Sequence, residues 1–576
     1  MKKVLLLLSS ALFVSATNYA QTNMIATNPV AEQVLLGSYV PATYAQANPV
    51  HKAADVTQDI IKSISPDSLK AYLEVLQTFE NRNTGSDTAS ATRGIGAVRR
   101  WIYGKLEQFS ARNENRLIPS YLQFDQVICD ISQHRNVFAV LPGTDLADKS
   151  IVFVEAHMDS RCAGLCDTSC QAHGMEDNGS GTALVMELAR VMSKYSFKHT
   201  IVFALVTSEE QNLNGSRAFA KYCTQKGIAI KAVLNNDVVG GIVCGATASP
   251  PGCMGAGTID STNLRIFSAE GFNSPHKQLA RFIKLEYKEM IRPYTAVPMN
   301  INIMTPIDRT GRGSDHIPFY QEGYTSIRFC SANEHGNADV ADPNYTDRQH
   351  TTGDILGVDT NNDAVIDSFF VDFNYLSRMA VINANTAAMA AMGPKTPDFD
   401  ISSGAGGVSV YITTEKQYQL YRVAVRSTTN DWDSVYTIAG DFGYIHLGSV
   451  GSRYISVASV DAQGVESIFS LEKVAMAGVN DKATKTQGVE LMQNHPNPFD
   501  GETIISVLAG SDMKGAEAYI SVTDMGGKEL RRIKIMLNEG MNEVTYDHGY
   551  GVTGTYVYSL VMNGQKLQSK RMVFAN

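Results

Sequence analysis

The fold of this chain is decided by the stretch Ile151-Val-Phe-Val-Glu-Ala-His157-Met-Asp159, a short apolar run that ends in a histidine and an aspartate. Two further runs follow the same plan: Thr200–Val206 leads into Glu209-Glu210, and Ala232–Leu234 leads into Asn236-Asp237. Between the first two runs, Asp177-Asn-Gly-Ser-Gly181 opens a helical pattern. Each run is short and β-rich, and each is followed by a residue of the kind that binds metals.

The helices between these strands are amphipathic. In the segment 182–195, Leu184, Leu188, Val191 and Tyr195 form one apolar stripe. Strands that alternate with helices of this length predict right-handed βαβ units and a buried sheet. Ligands of such sheets bind outside the carboxyl ends of the strands, where the histidine and the acidic residues fall. The predicted fold class is therefore α/β, with a mostly parallel mixed sheet flanked by helices.

Weaker patterns place further elements around this centre. The predicted helices begin at Ser65 and cover 91–109, 263–294 and 369–392, and the predicted strands cover 122–131, 136–143 and 325–330. Composition then divides the chain. The predicted parts are a signal peptide (1–20), a leader or pro-segment (21–55), a catalytic domain (56–394), a β-sandwich that resembles fibronectin type III modules (398–477) and a second all-β sandwich (488–576).

The N-terminus has the parts of a secretory signal peptide. Lys2-Lys3 is a short positive region, an apolar core runs from Val4 to Ala16, and a small residue follows at Ala20. We predict cleavage after Ala20, with Ala16 as the alternative. No later run is long and apolar enough to cross a bilayer, so we expect an exported chain without a transmembrane segment.

Bulk composition excludes other classes of protein. The chain has 576 residues, of which 44% are hydrophobic and 19% charged, and its net charge is -9. These values are typical of a globular protein, and the length indicates several domains. Because basic runs and basic residues interleaved with aromatic ones are missing from the sequence, nucleic acid is not an expected partner.

Eight cysteines in an exported chain favour disulfides. Cys162, Cys166 and Cys170 lie between His157 and Asp177, where a zinc finger would need a fourth ligand nearby. We therefore prefer stapling of that loop, with zinc binding as the alternative. The single bridge that we predict joins Cys244 to Cys253, which bracket a loop rich in glycine and proline.

The residues at the strand ends form the candidate site. The set comprises His157, Asp159, Asp177, Glu209, Glu210, Asp237 and His350. Buried carboxylates repel one another unless cations neutralise them, and imidazole with carboxylate but no thiolate suits zinc. Two ions about 3.5–4 Å apart are favoured, because one carboxylate can bridge while the others divide. Asp177 lies between the His157 and Glu209 elements and is assigned the bridge.

These pieces resemble the co-catalytic dizinc aminopeptidases of peptidase family 28, over roughly residues 65–393. The matching segments are Ala156-His-Met-Asp-Ser160, Asp177-Asn-Gly-Ser-Gly-Thr-Ala183, Ser208-Glu-Glu-Gln-Asn-Leu-Asn-Gly-Ser216, Asn236-Asp237, Ser314-Asp-His316 and His350-Thr-Thr-Gly-Asp354. The resemblance implies a zinc exopeptidase fold with one zinc on His157, Asp177 and Asp237 and the other on Asp177, Glu210 and His350.

The same resemblance implies the roles of two further residues. Glu209 would be the general base, which takes a proton from a metal-bridging water, and Asp159 would orient His157. The implied function is a secreted zinc aminopeptidase that removes N-terminal residues from peptides with a free N-terminus. His316 and His335 compete with His350 as ligands; we interpret His316 as a hydrogen-bonded core residue and prefer His350.

Four other functions stay open at this point. On the same fold, a glutaminyl cyclase-like acyltransferase would use a single zinc, and a carboxypeptidase would need Arg312 or Arg328 for the substrate carboxylate. A non-catalytic adhesion module would not need Glu209. A serine hydrolase would use Ser180 or Ser314, but the Gly-x-Ser-x-Gly elbow is missing from the sequence.

The last module resembles a type IX secretion C-terminal sorting domain. The segments that carry this resemblance are Leu491-Met-Gln-Asn-His-Pro-Asn-Pro-Phe499, Ala518-Tyr-Ile-Ser-Val-Thr-Asp-Met-Gly-Gly-Lys528 and Gly554-Thr-Tyr-Val-Tyr-Ser-Leu560. The resemblance implies export through the periplasm and across an outer membrane by the type IX machinery. The expected location is therefore secreted or cell-surface.

Overall fold

The computed structural model describes residues 21–47, 52–245, 251–309, 312–334, 348–404, 407–447, 451–477, 488–494, 496–524, 527–549 and 553–575. Within these residues, nine strands form one sheet. They are β1 (Thr22–Ala26), β2 (Ile118–Ile128), β3 (Ile131–Leu141), β4 (Ile151–His157), β5 (Ile201–Val206), β6 (Ile230–Asn236), β7 (Asn263–Ser268), β8 (Asn300–Ile303) and β9 (Ser326–Ser331). Their order across the sheet is β1-β2-β3-β5-β4-β6-β9-β7-β8.

The centre of the sheet is parallel and its outer part is mixed. Strands β5, β4, β6 and β9 pair in parallel, as do β7 and β8, whereas β1 with β2, β2 with β3, β3 with β5 and β7 with β9 are antiparallel. β4 and β5 are buried along their whole length, as expected for strands covered on both faces. The predicted fold class is confirmed.

Helices cover both faces of this sheet. They are α1 (Pro29–Leu35), α2 (Ala53–Ser63), α3 (Pro66–Gln77), α4 (Gly94–Arg112), α5 (Ser180–Met192), α6 (Asn214–Lys226), α7 (Pro275–Glu286), α8 (His316–Gln321) and α9 (Phe373–Met392). The predicted helix start at Ser65 is confirmed, because the Ser65 hydroxyl accepts a hydrogen bond from the Ser68 amide and caps α3. The apolar stripe of α5 packs in the main core with α9.

Residues 21–47, part of the segment interpreted as a leader or pro-segment, contain elements of the catalytic domain. β1 pairs with β2 at the edge of the sheet, and α1 packs its Ala31, Val34 and Leu35 into the core on one face. A 3-10 turn follows at Pro41–Tyr44. Cleavage of this segment stays a prediction, and the predicted signal peptide lies outside the described residues.

The helix predicted over 263–294 is wrong in its first part. Residues 263–268 form β7, which pairs with β8 and β9, and the helix α7 begins only at Pro275. Ser274 caps this helix by accepting a hydrogen bond from the Lys277 amide. The sheet offers β7 pairing partners on both sides, and this tertiary pairing overrides a weak helical period.

A small hairpin of β10 (Gly357–Val358) and β11 (Ser368–Phe369) precedes α9 in the catalytic domain. Two all-β modules follow the catalytic domain. The first contains β12 (Phe399–Gly404), β13 (Gly407–Ile412), β14 (Leu420–Arg426), β15 (Ser434–Ala439), β16 (Phe442–His446), β17 (Gly451–Val460) and β18 (Lys473–Ala477). Its sheets have the orders β12-β13-β16 and β15-β14-β17-β18, and they share one apolar core. This arrangement is a β-sandwich.

The second module has the same architecture. It contains β19 (Val489–Leu491), β20 (Glu502–Ala509), β21 (Glu517–Thr523), β22 (Glu529–Met536), β23 (Gly540–Asp547), β24 (Gly554–Met562) and β25 (Gln565–Phe574). Its sheets have the orders β19-β20-β23 and β22-β21-β24-β25 around a separate core. The prediction of all-β structure after the catalytic domain is confirmed.

Candidate metal centre

The candidate site lies at one edge of the sheet because three neighbouring parallel strands end there. His157 is the last residue of β4, Glu209 and Glu210 follow β5, and Asp237 follows β6. Since β5, β4 and β6 are adjacent and parallel, their carboxyl ends bring these residues together. Asp177 comes from the turn Met175–Gly179 before α5, and His350 comes from the segment before α9.

Asp177 faces both histidines with different oxygens. Its Oδ1 lies 3.2 Å from His157 Nε2, and its Oδ2 lies 3.1 Å from His350 Nε2. On the outer sides, Asp237 Oδ1 is 3.4 Å from His157 Nε2, and Glu210 Oε2 is 3.2 Å from His350 Nε2. The residues therefore form two groups that share the Asp177 carboxylate.

These distances fit zinc. Ligand atoms about 2.0–2.1 Å from a tetrahedral zinc ion lie roughly 3.3–3.4 Å from one another. Ligand atoms of Asp177, Glu210 and His350 lie within 4.8 Å of one another, and Glu210 Oε1 is buried without a hydrogen-bond partner among the described residues. Ligand atoms of His157, Glu209 and Asp237 form a second such group. The donor set is imidazole and carboxylate, which suits zinc.

Asp177 and Glu209 both lie close to His157, so either of them could complete a metal site with His157 and Asp237. Asp177 Oδ1 is at 3.2 Å from the His157 ring nitrogen, within the spacing of tetrahedral ligands. We therefore take Asp177 as the third member of that group, which leaves Glu209 beside it as the acid–base candidate. The role of each residue stays a prediction.

Asp159 holds the turn that brings the adjacent residues Glu209 and Glu210 to the metal centre. Its carboxylate accepts hydrogen bonds from the amides of Glu209 and Glu210, each at 3.3 Å. Ser208, just before them, has a φ of 60°, which turns the chain at the end of β5. His157 Nδ1 is nearer the main-chain oxygen of Asp159 (3.1 Å) than its carboxylate (3.6 Å). The structure thus places Asp159 at both the His157 ring and the glutamate turn.

Burial and neighbouring charges shift the pKa values of the site's carboxyl groups in different directions. Burial raises the pKa of Glu209 well above its ordinary value, and the carboxylates of Glu210 and Asp237 add to this against the effect of His157. Burial acts in the same direction on Asp177, but hydrogen bonds from His157 and His350 hold its pKa well below its ordinary value. Burial and neighbouring charges therefore favour a proton on Glu209 and disfavour one on Asp177.

Several residues at the site have a strained backbone conformation. Val238 has a φ of 54° and His350 a φ of 58°, and Asn212 and Leu213 in the cavity wall also have positive φ values, of 82° and 57°. Such conformations are genuine outliers for a β-branched residue and cost on the order of 1–3 kcal/mol each. Strain of this kind persists where surrounding contacts impose it, and it is typical of functional sites.

Three arginines and most of the proposed metal ligands line a cavity of about 380 Å³. Arg312 and Arg328 were named in the carboxypeptidase alternative, whereas the sequence analysis missed Arg161. Arg161 Nε donates to Glu210 Oε2 at 2.7 Å, and its Nη2 lies 2.6 Å from His350 Nδ1. Arg312 lies in the wall and donates to Gln349 at 3.3 Å. Arg161 is two residues after Asp159, and that proximity was the only signal that could have revealed it.

Arg328 is the third of these arginines and is fully buried. Its guanidinium contacts Asp237 Oδ2 at 3.1 Å, Asp308 Oδ1 at 2.8 Å and Glu334 Oε1 at 2.5 Å. It therefore belongs to an ion-pair network beneath Asp237. This network disfavours Arg328 as a receptor for a substrate carboxylate, the role considered in the carboxypeptidase alternative.

The other candidate residues lie in different surroundings. His316 is buried, and its Nε2 is 2.8 Å from the main-chain oxygen of Ile307, in agreement with a core histidine. His335 lies outside the described residues. The Ser180 hydroxyl donates to the main-chain oxygen of Glu176, and the Ser314 hydroxyl accepts from Asn235. Neither serine contacts a histidine in any hydrogen bond of the described residues.

Disulfides staple the loop beside the site. Cys129 is bonded to Cys166 and Cys162 to Cys170, and the predicted bridge between Cys244 and Cys253 is confirmed. The zinc-binding alternative for the first loop is wrong, because its cysteines form these bridges. Among the described residues, no helix has the length and apolar character of a membrane span.

The sequence is similar to one peptidase family and to several zinc metalloproteases. The sequence profile described as Peptidase family M28 matches residues 136–369. A probable zinc metalloprotease of Pyricularia oryzae is 31% identical over 451 residues, which are 74% of this chain and 83% of that protein. A probable zinc metalloprotease of Leptosphaeria maculans is 29% identical over 396 residues, 65% of this chain and 86% of that protein.

The LapA aminopeptidase of Legionella pneumophila aligns with a TM-score of 0.43 and 18% identity, over 61% of this chain and 78% of that chain.

Proposed function

This chain belongs to peptidase family M28, and from that membership we propose that it is an exported zinc aminopeptidase acting on peptides with a free N-terminus. Zinc-dependent peptide hydrolysis agrees with the names of its relatives. The observation that carries the two-ion form of the proposal is the position of Asp177 between His157 and His350.

One zinc ion is assigned to His157, Asp177 and Asp237, and the other to Asp177, Glu210 and His350. The ions supply Lewis acidity, which polarises the scissile carbonyl and lowers the pKa of the attacking water. The chain supplies the geometry. Its ligands come from strand ends and turns that are held by buried hydrogen bonds, and rigid ligands of this kind keep reacting groups aligned.

Glu209 is the proposed acid–base residue. Its carboxylate takes a proton from the attacking water and delivers that proton to the nitrogen of the leaving peptide. Two features support the assignment: the amide of Glu209 is fixed by Asp159, and its carboxyl group lines the cavity next to His157 and Asp237. Its raised pKa suits a group that must hold a proton during the reaction.

The size of the cavity is compatible with action on a chain end. A volume of about 380 Å³ can hold one or two residues of a peptide. Among the alternatives, a cyclase with a single zinc would not need the second group of ligands. A carboxypeptidase would now depend on Arg312, which lies in the cavity wall.

The proposed function is tested with a matched pair of adjacent substitutions. Glu209→Gln should retain both zinc ions by metal analysis and lose roughly 10²–10⁴-fold in kcat on aminoacyl anilides. Glu210→Gln should instead lose zinc, because Glu210 is assigned as a ligand. Peptides with a blocked N-terminus should resist the wild-type enzyme. Full activity of Glu209→Gln, or cleavage of blocked peptides at the rate of free ones, would refute the proposal.

Export is the second half of the proposal. It is supported by the signal-peptide pattern of residues 1–20, by the sorting-domain resemblance of 488–576 and by disulfides, which persist in oxidising compartments. Deleting 488–576 should leave the enzyme inside the cell envelope. Normal export of the deletion variant would remove type IX secretion from the proposal.

A further inference from the structure

Asp354 connects the two loops that carry Asp177 and His350. It lies four residues after His350, and its carboxylate is buried against the turn before α5. Its Oδ1 accepts a hydrogen bond from the Glu176 amide at 2.8 Å, and its Oδ2 accepts one from the Asp177 amide at 3.0 Å. Its main-chain oxygen accepts another from the Met175 amide at 3.2 Å. One residue thus holds three successive amides of the turn.

Arg82 holds the same turn from its other end. This arginine is fully buried, and its Nη2 donates to the main-chain oxygen of Gly174 at 2.9 Å, while Nη1 donates to that of His173. Its Nε donates to the main-chain oxygen of Met158 at 2.9 Å, next to His157. Arg82 therefore ties the turn to the end of β4.

The turn is closely packed at Gly174, between these two supports. Gly174 has a φ of 55°, and a Cβ atom there would lie 2.5 Å from the Asp177 main-chain oxygen and 2.5 Å from Ser160 Cβ. Buried hydrogen bonds to a charged partner are stronger than those between neutral groups, so moving the turn would break several strong contacts. The direction of the Asp177 carboxylate is consequently set from outside its own segment.

We infer that Asp354 is a positioning residue for the shared carboxylate, and that through Asp177 it governs the binding of both zinc ions although it touches neither. Because Asp354 also follows His350, one side chain links the bridging ligand to the terminal ligand of the second group. This inference rests on the proposed two-zinc site. It predicts a pattern that differs from loss of a terminal ligand: His350→Ala weakens one ion, whereas loss of Asp354 weakens both.

The substitution Asp354→Asn is isosteric and tests this inference directly. One carboxylate oxygen becomes an NH₂ group, which faces the amide of Glu176 or Asp177 with a donor instead of an acceptor. Supporting partners of this kind typically change metal affinity by 10–100-fold. We expect both zinc ions of the full-length protein to bind at least 10-fold more weakly in competition with a chromogenic chelator. His350→Ala should affect one ion.

A matched control exists in the same part of the chain. Asp359 is half-buried, and its two oxygens accept amide hydrogen bonds from Asn362 and Ala364 at 2.7 Å each. Asp359→Asn breaks an equivalent carboxylate–amide arrangement away from the site, and zinc affinity should not change. Should Asp354→Asn not fold, as judged by circular dichroism, Asp354→Glu replaces it. This variant keeps the charge but displaces the oxygens by one methylene, and the same weakening is expected.

The outcomes separate the inference from the proposed function. Wild-type affinity for both ions in a folded Asp354 variant, or weakening of one ion only, would overturn the positioning role. A wild-type protein that binds two zinc ions but does not cleave aminoacyl anilides would refute the aminopeptidase proposal and leave the positioning role standing. A wild-type protein that binds one zinc ion would overturn both.

Discussion

Glu466 and Glu286 form a buried pair of carboxyl groups between the catalytic domain and the first β-sandwich. Glu286 is the last residue of α7, and Glu466 lies between β17 and β18. Both side chains are almost fully buried, and the charges of Glu289 and of Arg422 in β14 act on both of them. Arg422 lies 2.7 Å from Glu289 but 3.6 Å from Glu466, so one cation serves three carboxyl groups.

This arrangement makes the stability of the protein depend on pH. Burial raises the pKa of Glu466 from 4.5 to about 7, and burial together with Glu466 raises that of Glu286. The folded protein therefore binds more protons than the unfolded chain between about pH 4.5 and 7. The contribution of the pair is fully present below about pH 4.5 and is lost as the pH rises through about 7. For Glu466 the loss is roughly 3 kcal/mol.

The isosteric substitution Glu466→Gln removes the ionisation and keeps the shape. Above pH 7 we expect the variant to unfold at a temperature a few degrees higher than the wild type, and at pH 4.5–5 the difference should vanish. The measurement is thermal unfolding of both proteins by circular dichroism from pH 5 to 8. Because both proteins keep the same zinc site, pH effects of metal binding cancel in their difference.

Glu502→Gln is the matched control, since Glu502 is exposed at the start of β20 in the second all-β module. Its unfolding temperature should follow that of the wild type at every pH. A Glu466→Gln difference that is constant from pH 5 to 8, or that grows toward low pH, would show that the buried pair is not protonated in the folded protein.

Two further predictions concern the metal centre. Arg328→Met should destabilise the protein by about 3–5 kcal/mol, because Asp237 loses its buried arginine and Asp308 and Glu334 then share Arg309 alone; an unfolding temperature equal to that of the wild type would contradict this. Removal of zinc by a chelator should lower the wild-type unfolding temperature, since an ion at about 100 times its Kd contributes about 2.7 kcal/mol. Re-addition of zinc should restore it, whereas Asp177→Asn should unfold at the same temperature with and without chelator.

The segment before α2 shows one limit of prediction from sequence. Residues 21–47 have no apolar period, yet they supply the edge strand β1 and the helix α1. β1 forms because β2 presents an unpaired edge, and its register is set by that partner. The same reason applies to β7, whose pairing with β8 and β9 outweighs a local pattern that favoured a helix.

The sequence by itself determined the class of fold and the composition of the candidate site. Short apolar runs that end in His157, Glu209 and Asp237 predict parallel strands, and the carboxyl ends of neighbouring parallel strands must lie at one edge of the sheet. Carboxylates gathered there need cations. These conclusions depend only on order and spacing along the chain, and a sequence displays both.

Only the tertiary structure decided how the site is divided and supported. The two oxygens of Asp177 face different histidines, and Asp354 holds the amide of Asp177 from 177 residues away in sequence. Arg161 and His350 meet across a separation of 189 residues. Contacts between residues so far apart in sequence are set by the packing of loops between helices and strands, and no local pattern along the chain encodes them.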